Sequence, residues 1–391
     1  MDSAPNRSNI WLSDADCRLD DFRRLVERTT DAAAYPYAKA VERNVPVYNG
    51  DDVRRIARDE TARRAVMAEW ADVMMNGPGI LVFQRAFADP AVVDAATAQF
   101  DAMITEQRAG NRNAGDHFAK PGANDRIWNA LEKFCLRDAA GFARYYGNEA
   151  IALVSEAWLG PNYQITSQVN VVNPGGEAQS PHRDYHMGFQ IPEDLARFPA
   201  HAHRLSPVLT LQGAIAHCDM PVESGPTLYL PYSQLYEPGY LAWQRPDFIA
   251  YFAEHRVQLP LVKGDAVFFN PALFHAAGSN RTRDIRRMAN LLQVSSAYGR
   301  AMESVDRTRM CAALYPALLA LRDSLDAVQC ANVIAACAEG YSFPTNLDHD
   351  PPIGGLAPET QAQLMRRALV EGLTPEVFGA ALAEQAARRI A

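Results

Sequence analysis

The chain has 391 residues, a formal net charge of −8, 48% hydrophobic and 21% charged residues. That length can bury a core and enclose a site without disulfides, while the acidic balance argues against a nucleic-acid partner, since phosphate binding normally leaves a basic face. No run reaches the ~18 apolar residues of a membrane span, and the N-terminus MDSAPNRSNIWLSDADCRLDDF lacks the basic and apolar regions of a signal peptide, so a cytoplasmic protein with no membrane partner is expected.

Residues 51–77 carry apolar side chains at Val53, Ile56, Val66, Trp70 and Val73 and end at Gly77, which predicts helix. Gly79–Phe83 predicts a strand, residues 90–107 a helix, and Arg126–Phe134 and Ala139–Leu159 two more helices. From residue 163 to 297 short β segments alternate with turns: Tyr163–Val172, Arg183–Phe189, Val208–His217, Thr227–Leu230, Val257–Val262, Ala266–Asn270 and Met288–Ser296. PGG, SGP, KGD and GSN supply the turn signals, and the spacing reads as a β-sandwich or barrel. Helix formers return in Ala301–Leu325, Ala327–Glu339, Pro358–Glu371 and Pro375–Ile390. The simplest partition is an N-terminal helical region over 1–75, a β core over 76–300 and a C-terminal helical cap or extension over 301–391, an α+β chain. The amphipathic pattern of the cap fits a lid or a homodimer contact. The six cysteines Cys17, Cys135, Cys218, Cys311, Cys330 and Cys337 form no CxxC pair and are expected to be buried free thiols.

The segment PGGEAQSPHRDYH places His182 and Asp184 two apart after a glycine turn. In a strand such residues share a face, so an imidazole and a carboxylate converge on one point. A third ligand from another strand would complete a two-histidine, one-carboxylate triad, the pattern of non-haem Fe(II) oxygenases. His217 and Asp219 repeat the spacing. After the first copy, on a later segment, comes VKGDAVFFNPALFHAAGSNRTRDIRRMANLLQVS, with a glycine turn, an apolar strand, His275 and an arginine in order. Gln168 and Asn170 share a face of one strand and Gln212 sits in the middle of another, so each is a candidate for cosubstrate or substrate contact or for internal hydrogen bonding. His186 is placed to line the pocket or its rim. His117, His201, His203, His255 and His349 are read as surface or loop residues.

His182 and Asp184, the turn at Asp219 and Ser224-Gly225-Pro226, then Gly264-Asp265, His275, Gly278, Asn280 and Arg286 resemble the phytanoyl-CoA hydroxylase (phytanoyl-CoA dioxygenase) family of Fe(II)/2-oxoglutarate-dependent oxygenases, over residues 76–300. The resemblance implies a double-stranded β-helix, a jelly-roll of cupin-like form, with His182, Asp184 and His275 as iron ligands. It implies that Arg286, eleven residues after His275, pairs with the distal carboxylate of 2-oxoglutarate, and that His217 and Asp219 lie at a strand end and turn in a structural role. Since adjacent strand residues face opposite ways, Arg287 is then expected to point outward. The implied reaction uses O2 and 2-oxoglutarate to oxidise, most simply to hydroxylate, an unactivated C–H bond of a small molecule, with succinate and CO2 as coproducts. With Asp184 present a halogenase is disfavoured. The rival is a cupin-type isomerase or dioxygenase that does not use 2-oxoglutarate, in which Arg286 would lack a purpose. Pro231-Tyr232-Ser233-Gln234 stands where the family has Pro-Gly-Ser-His, and the usual aromatic near Ala214 is missing, which leaves the substrate open.

Overall fold

Side chains along a strand alternate between two faces, and here both faces are covered, one by helices and one by a second sheet. The computed structural model describes residues 10–110 and 123–390. Its strands are β1 (Ala40–Glu42), β2 (Val45–Asn49), β3 (Ile80–Gln84), β4 (Asn124–Ile127), β5 (Gln164–Val172), β6 (Thr210–Ala216), β7 (Leu228–Tyr229), β8 (Val257–Gln258), β9 (Ala266–Phe269), β10 (His275–Ala276) and β11 (Arg287–Ser295). Eight form a sheet of order β1-β2-β3-β9-β6-β11-β5-β4 and three a smaller sheet of order β10-β7-β8. Single bridges at His182–His275 and Met220–Leu261 widen the smaller sheet. The result is the two-layered jelly-roll expected of the β core.

On the outer face of the large sheet Phe83, Ile165, Val169, Val171, Leu211, Ile215, Phe268, Leu292 and Val294 join one apolar core with the helices. Caps delimit those helices. Asp59 accepts from Ala62 N ahead of Glu60–Met75, and Asp89 accepts from Ala91 N with Pro90 as the first residue of Pro90–Ala109. On the inner face Val82, Ala214, Val267 and Phe269 meet Tyr229, Leu259 and Leu261 from the smaller sheet, and the space between the layers opens into a cavity.

Three expectations are corrected. Residues 1–75 are not purely helical, because β1 and β2 extend the large sheet beyond β3. The helix expected from Arg126 starts only at Ala130. Residues 124–127 pair antiparallel with β5 instead, where Arg126 reaches the cavity side and Asp125 grips Arg108. Arg183–Phe189 is not a strand: after the bridge at His182 the chain turns, and His186–Phe189 is a short 3-10 helix. The turn is tight enough that a Cβ at Gly188 would lie 2.0 Å from the Arg183 carbonyl oxygen. The region over 301–391 lines the cavity at Met302 and otherwise packs beside the β core. Its helices Arg307–Leu321 and Ala327–Cys337 pack on Ala130–Arg137, Ala139–Tyr146 and the outer face of β5. All six cysteines are free, with Cys17, Cys135, Cys311 and Cys337 buried and Cys218 and Cys330 partly exposed. Among the described residues no helix is long and apolar enough to cross a membrane.

Candidate metal centre and its cavity

Backbone pairing brings the triad together. His182 N donates to His275 O at 2.9 Å and His275 N to His182 O at 3.1 Å, while Asp184 N donates to Pro271 O at 3.0 Å. The two segments run antiparallel, and the imidazole centroids stand 4.4 Å apart. Each ring places Nδ1 against a carbonyl two residues earlier in its own chain, Ser180 O at 3.0 Å for His182 and Leu273 O at 2.8 Å for His275. A carbonyl only accepts, so Nδ1 carries the proton and the Nε2 lone pairs are free. Asp184 Oδ2 lies 3.5 Å from His275 Nε2 and 3.9 Å from His182 Nε2, and the three ligand atoms lie within 4.8 Å of one another. Burial and the charge of His275 hold the His182 imidazole below its ordinary value, against the pull of Asp184. For Asp184 burial opposes ionisation, yet His182, His275 and the Gln212 amide outweigh it and hold the carboxyl below the usual range. Two imidazoles that turn Nε2 inward and a carboxylate facing one point are a donor set suited to a divalent transition metal.

These groups line a cavity of about 1240 Å³. The remaining predicted residues fall on both sides of its wall. Gln168 and Asn170 face the cavity from β5; Gln168 bonds to Arg126 and Gln293, whereas Asn170 Oδ1 is buried with no partner. Gln212 faces it from β6 and donates to Asp184 Oδ2 at 2.6 Å. The expected arginine register is wrong by one. Arg286 is half-exposed and pairs with Asp101 at 3.3 Å on the outside, while Arg287 is buried in the cavity wall and donates to Gly278 O. The alternation of β11 decides this, because Arg287, Ala289, Leu291 and Gln293 face inward and Met288, Leu292 and Val294 face the helices. Burial pushes the Arg287 guanidinium down to about 10, against the pull of Cys218 and Tyr229.

The second His-x-Asp copy lies apart from the triad. His217 is buried on the helical side, bonded through Nδ1 to Thr97 Oγ1 and through Nε2 to the Tyr145 hydroxyl, both at 2.8 Å, and burial drives it down to about 3. Asp219 accepts from Lys263 N in a turn. His186 is half-buried outside the cavity lining. His203, expected at the surface, is buried with Nε2 on Leu195 O; His201, His255 and His349 are exposed, and His117 lies outside the described residues. Thr227 and Tyr229, which neighbour Arg287 in the wall, were not singled out from sequence, since a two-residue strand carries too short a pattern to orient.

A family model described as phytanoyl-CoA dioxygenase (PhyH) matches residues 54–288. The dioxygenase trt7 of Aspergillus terreus (strain NIH 2624 / FGSC A1156) is 29% identical over 128 residues, which are 33% of this chain and 39% of that protein. The chain thus matches well under half of that relative's length. Among solved structures, the non-heme alpha ketoglutarate dependent epimerase SnoN from nogalamycin biosynthesis aligns with a TM-score of 0.41 and 20% identity over 63% of this chain and 82% of its own. AviO1 from Streptomyces viridochromogenes Tue57 aligns with a TM-score of 0.43 and 18% identity over 61% of this chain and 97% of its own.

Proposed function

The chain belongs to the phytanoyl-CoA dioxygenase family of non-haem iron, 2-oxoglutarate-dependent oxygenases, and from that premise we propose that His182, Asp184 and His275 hold the iron, that Arg287 anchors 2-oxoglutarate, and that the enzyme hydroxylates an unactivated C–H bond of a small molecule. The observation that carries this reading is the convergence of His182 Nε2, Asp184 Oδ2 and His275 Nε2 on one wall of a cavity that also contains the buried Arg287. Iron with 2-oxoglutarate and O2 bound supplies an oxidant for C–H bonds, the cosubstrate leaving as succinate and CO2.

The protein's own part is to bind, orient and exclude water. Carbonyls at Ser180 and Leu273 hold the imidazoles in the tautomer that ligation requires. Arg287 offers a planar guanidinium to a carboxylate, which it can grip with two parallel hydrogen bonds, with Thr227 and Tyr229 beside it. Apolar side chains of Val267, Phe269, Leu259 and Leu261 keep the inner wall dry. The cavity exceeds the ~300–1,000 Å³ usual for small ligands, which favours a substrate larger than a free amino acid alongside the cosubstrate.

The test is anaerobic Fe(II) titration followed by succinate measurement. One iron per chain, lost in His275→Ala, and iron-dependent succinate from 2-oxoglutarate are expected. Iron retained by His182→Ala, Asp184→Ala and His275→Ala alike would sink the assignment.

A further inference from the structure

Two residues of the cavity wall each hold a buried polar atom that closes no hydrogen bond among the described residues. Asn170 faces the cavity from β5, nine-tenths buried, and its Oδ1 has no partner. Arg126, directly opposite it on β4, turns Nη1 to Gln168 instead. Trp243 ends the short helix Gly239–Ala242, whose Tyr240 hydroxyl donates to the Asp184 carbonyl oxygen at 3.0 Å. It too lines the cavity, and its Nε1 is buried without a partner. Leaving a buried polar group unmade is expensive, so each of these atoms points to a group that arrives with a ligand.

The two atoms call for opposite chemistry. An amide oxygen accepts and an indole N–H donates. 2-Oxoglutarate brings two carboxylates and a ketone, all acceptors, so it cannot satisfy Asn170 Oδ1; a hydroxyl on a second molecule can. Trp243 Nε1 takes a carbonyl or ether oxygen. Much of the remaining lining is apolar or aromatic, with Leu261, Val267, Phe269, Tyr185 and Phe189 among it. Phe189 lines the cavity and is still 57% exposed, which places it at the mouth, and its ring lies 6.1 Å from that of Tyr185 at a tilt of 38°. Such rings offer flat apolar faces to another ring. We propose that the substrate is a largely apolar, ring-bearing molecule oxygenated at two points, with a hydroxyl that donates to Asn170 Oδ1 and a carbonyl or ether oxygen that accepts from Trp243 Nε1. The ligand is called the substrate on the strength of the function proposed above, and Asn170 and Trp243 determine its specificity.

The test titrates the metal-free full chain by equilibrium dialysis with three probes built on one ring system, naphthalene, 2-naphthol and 2-acetonaphthone. Wild type should bind each oxygenated probe about 3–10-fold more tightly than naphthalene, the gain of one net hydrogen bond. Asn170→Leu should remove that gain for 2-naphthol and spare 2-acetonaphthone, which has no donor. Trp243→Phe should remove it for 2-acetonaphthone. Since an unmade hydrogen bond contributes nothing to the empty fold, Asn170→Leu should not lower the melting temperature. A fall of several degrees, or failure to fold, would show that Oδ1 already has a protein partner and would overturn the proposal. Naphthalene bound by wild type as tightly as its oxygenated analogues overturns it as well, and so do unchanged probe preferences in either variant; Asn170→Leu decides alone if Trp243→Phe does not fold. The titrations use neither iron nor 2-oxoglutarate, so their failure strikes this inference and leaves the iron assignment standing. Loss of that assignment with the probe preferences intact would leave a ligand site without the oxidation.

Discussion

Arg287 and Arg286 are chemically identical neighbours, and one residue of register separates a cavity group from a surface ion pair. Removing a buried guanidinium that grips a carboxylate costs roughly 2–5 kcal/mol of binding, whereas a rim charge costs far less. Steady-state kinetics should thus show Arg287→Ala raising the KM for 2-oxoglutarate by at least tens-fold with iron still bound, and Arg286→Ala changing it little; equal effects would refute the placement. The misplaced register has a physical source. Both faces of β11 are covered, so Ala289 and Leu291 inside are as apolar as Met288 and Leu292 outside, and alternation alone could not set the register. His217 was legible for a different reason: the family pattern that the sequence resembles has an acidic turn, here Asp219 with Ser224-Gly225-Pro226, between its His-x-Asp pair and its later histidine, which implies His182 and Asp184 as the pair. The burial of His217 makes a second residue-scale prediction. With its folded value near 3 and an unfolded value near 6.5, the unfolded chain binds the proton first as pH falls, so stability is lost downward from about pH 6.5 toward about pH 3. Urea titrations should show His217→Gln flattening that slope by up to about 1.4 kcal/mol per pH unit.

The element that carries Asp184 is a turn and not the strand its spacing suggested, yet the two-residue spacing still brought His182 and Asp184 to one side. Antiparallel pairing of His182 with His275 supplies locally what a long strand would have supplied. This turn depends on Gly188, where a methyl group would collide with the Arg183 carbonyl. Gly188→Ala should therefore weaken metal binding as well as folding, because relief of the clash must move the segment that bears Asp184. Isothermal titration with Co(II) checks this, and unchanged affinity would show that the turn and the ligand move independently. The elements read correctly from sequence were those with long patterns, such as β5, β6 and the capped helices Glu60–Met75 and Pro90–Ala109. Those missed were short: β1, β2 and β4 span three to five residues each, and β2 and β4 pair with strands distant in the chain.

At the scale of the whole molecule, the C-terminal helices are part of the central core and not an appendage. Met310, Leu314, Tyr315 and Leu318 share one apolar cluster with Ile165 and Val169, and Arg307 donates to Ile165 O as well as to Ala336 O and Cys337 O. Deleting residues 301–391 should expose the apolar faces of Ala130–Arg137 and Ala139–Tyr146 and part of β5, so the truncated chain is expected to be insoluble or to bind a hydrophobic dye strongly. A truncated protein that stays folded and turns over 2-oxoglutarate would show the opposite. The fold class, the layered core and the triad were legible because each rests on pattern or spacing; where the cap sits was not, since amphipathic helices state that they pack without stating on what. Behind the triad, finally, Arg183 is buried with its Nη2 on Ser233 O and Tyr236 O and its guanidinium over the rings of Tyr240 and Phe274. It fastens the segment between His182 and Asp184 to the Ser233 and Tyr236 carbonyls. The spacing of the triad is thus held by two backbone carbonyls and two rings, so a change in the opposite cavity wall can alter what the cavity holds without loosening the triad.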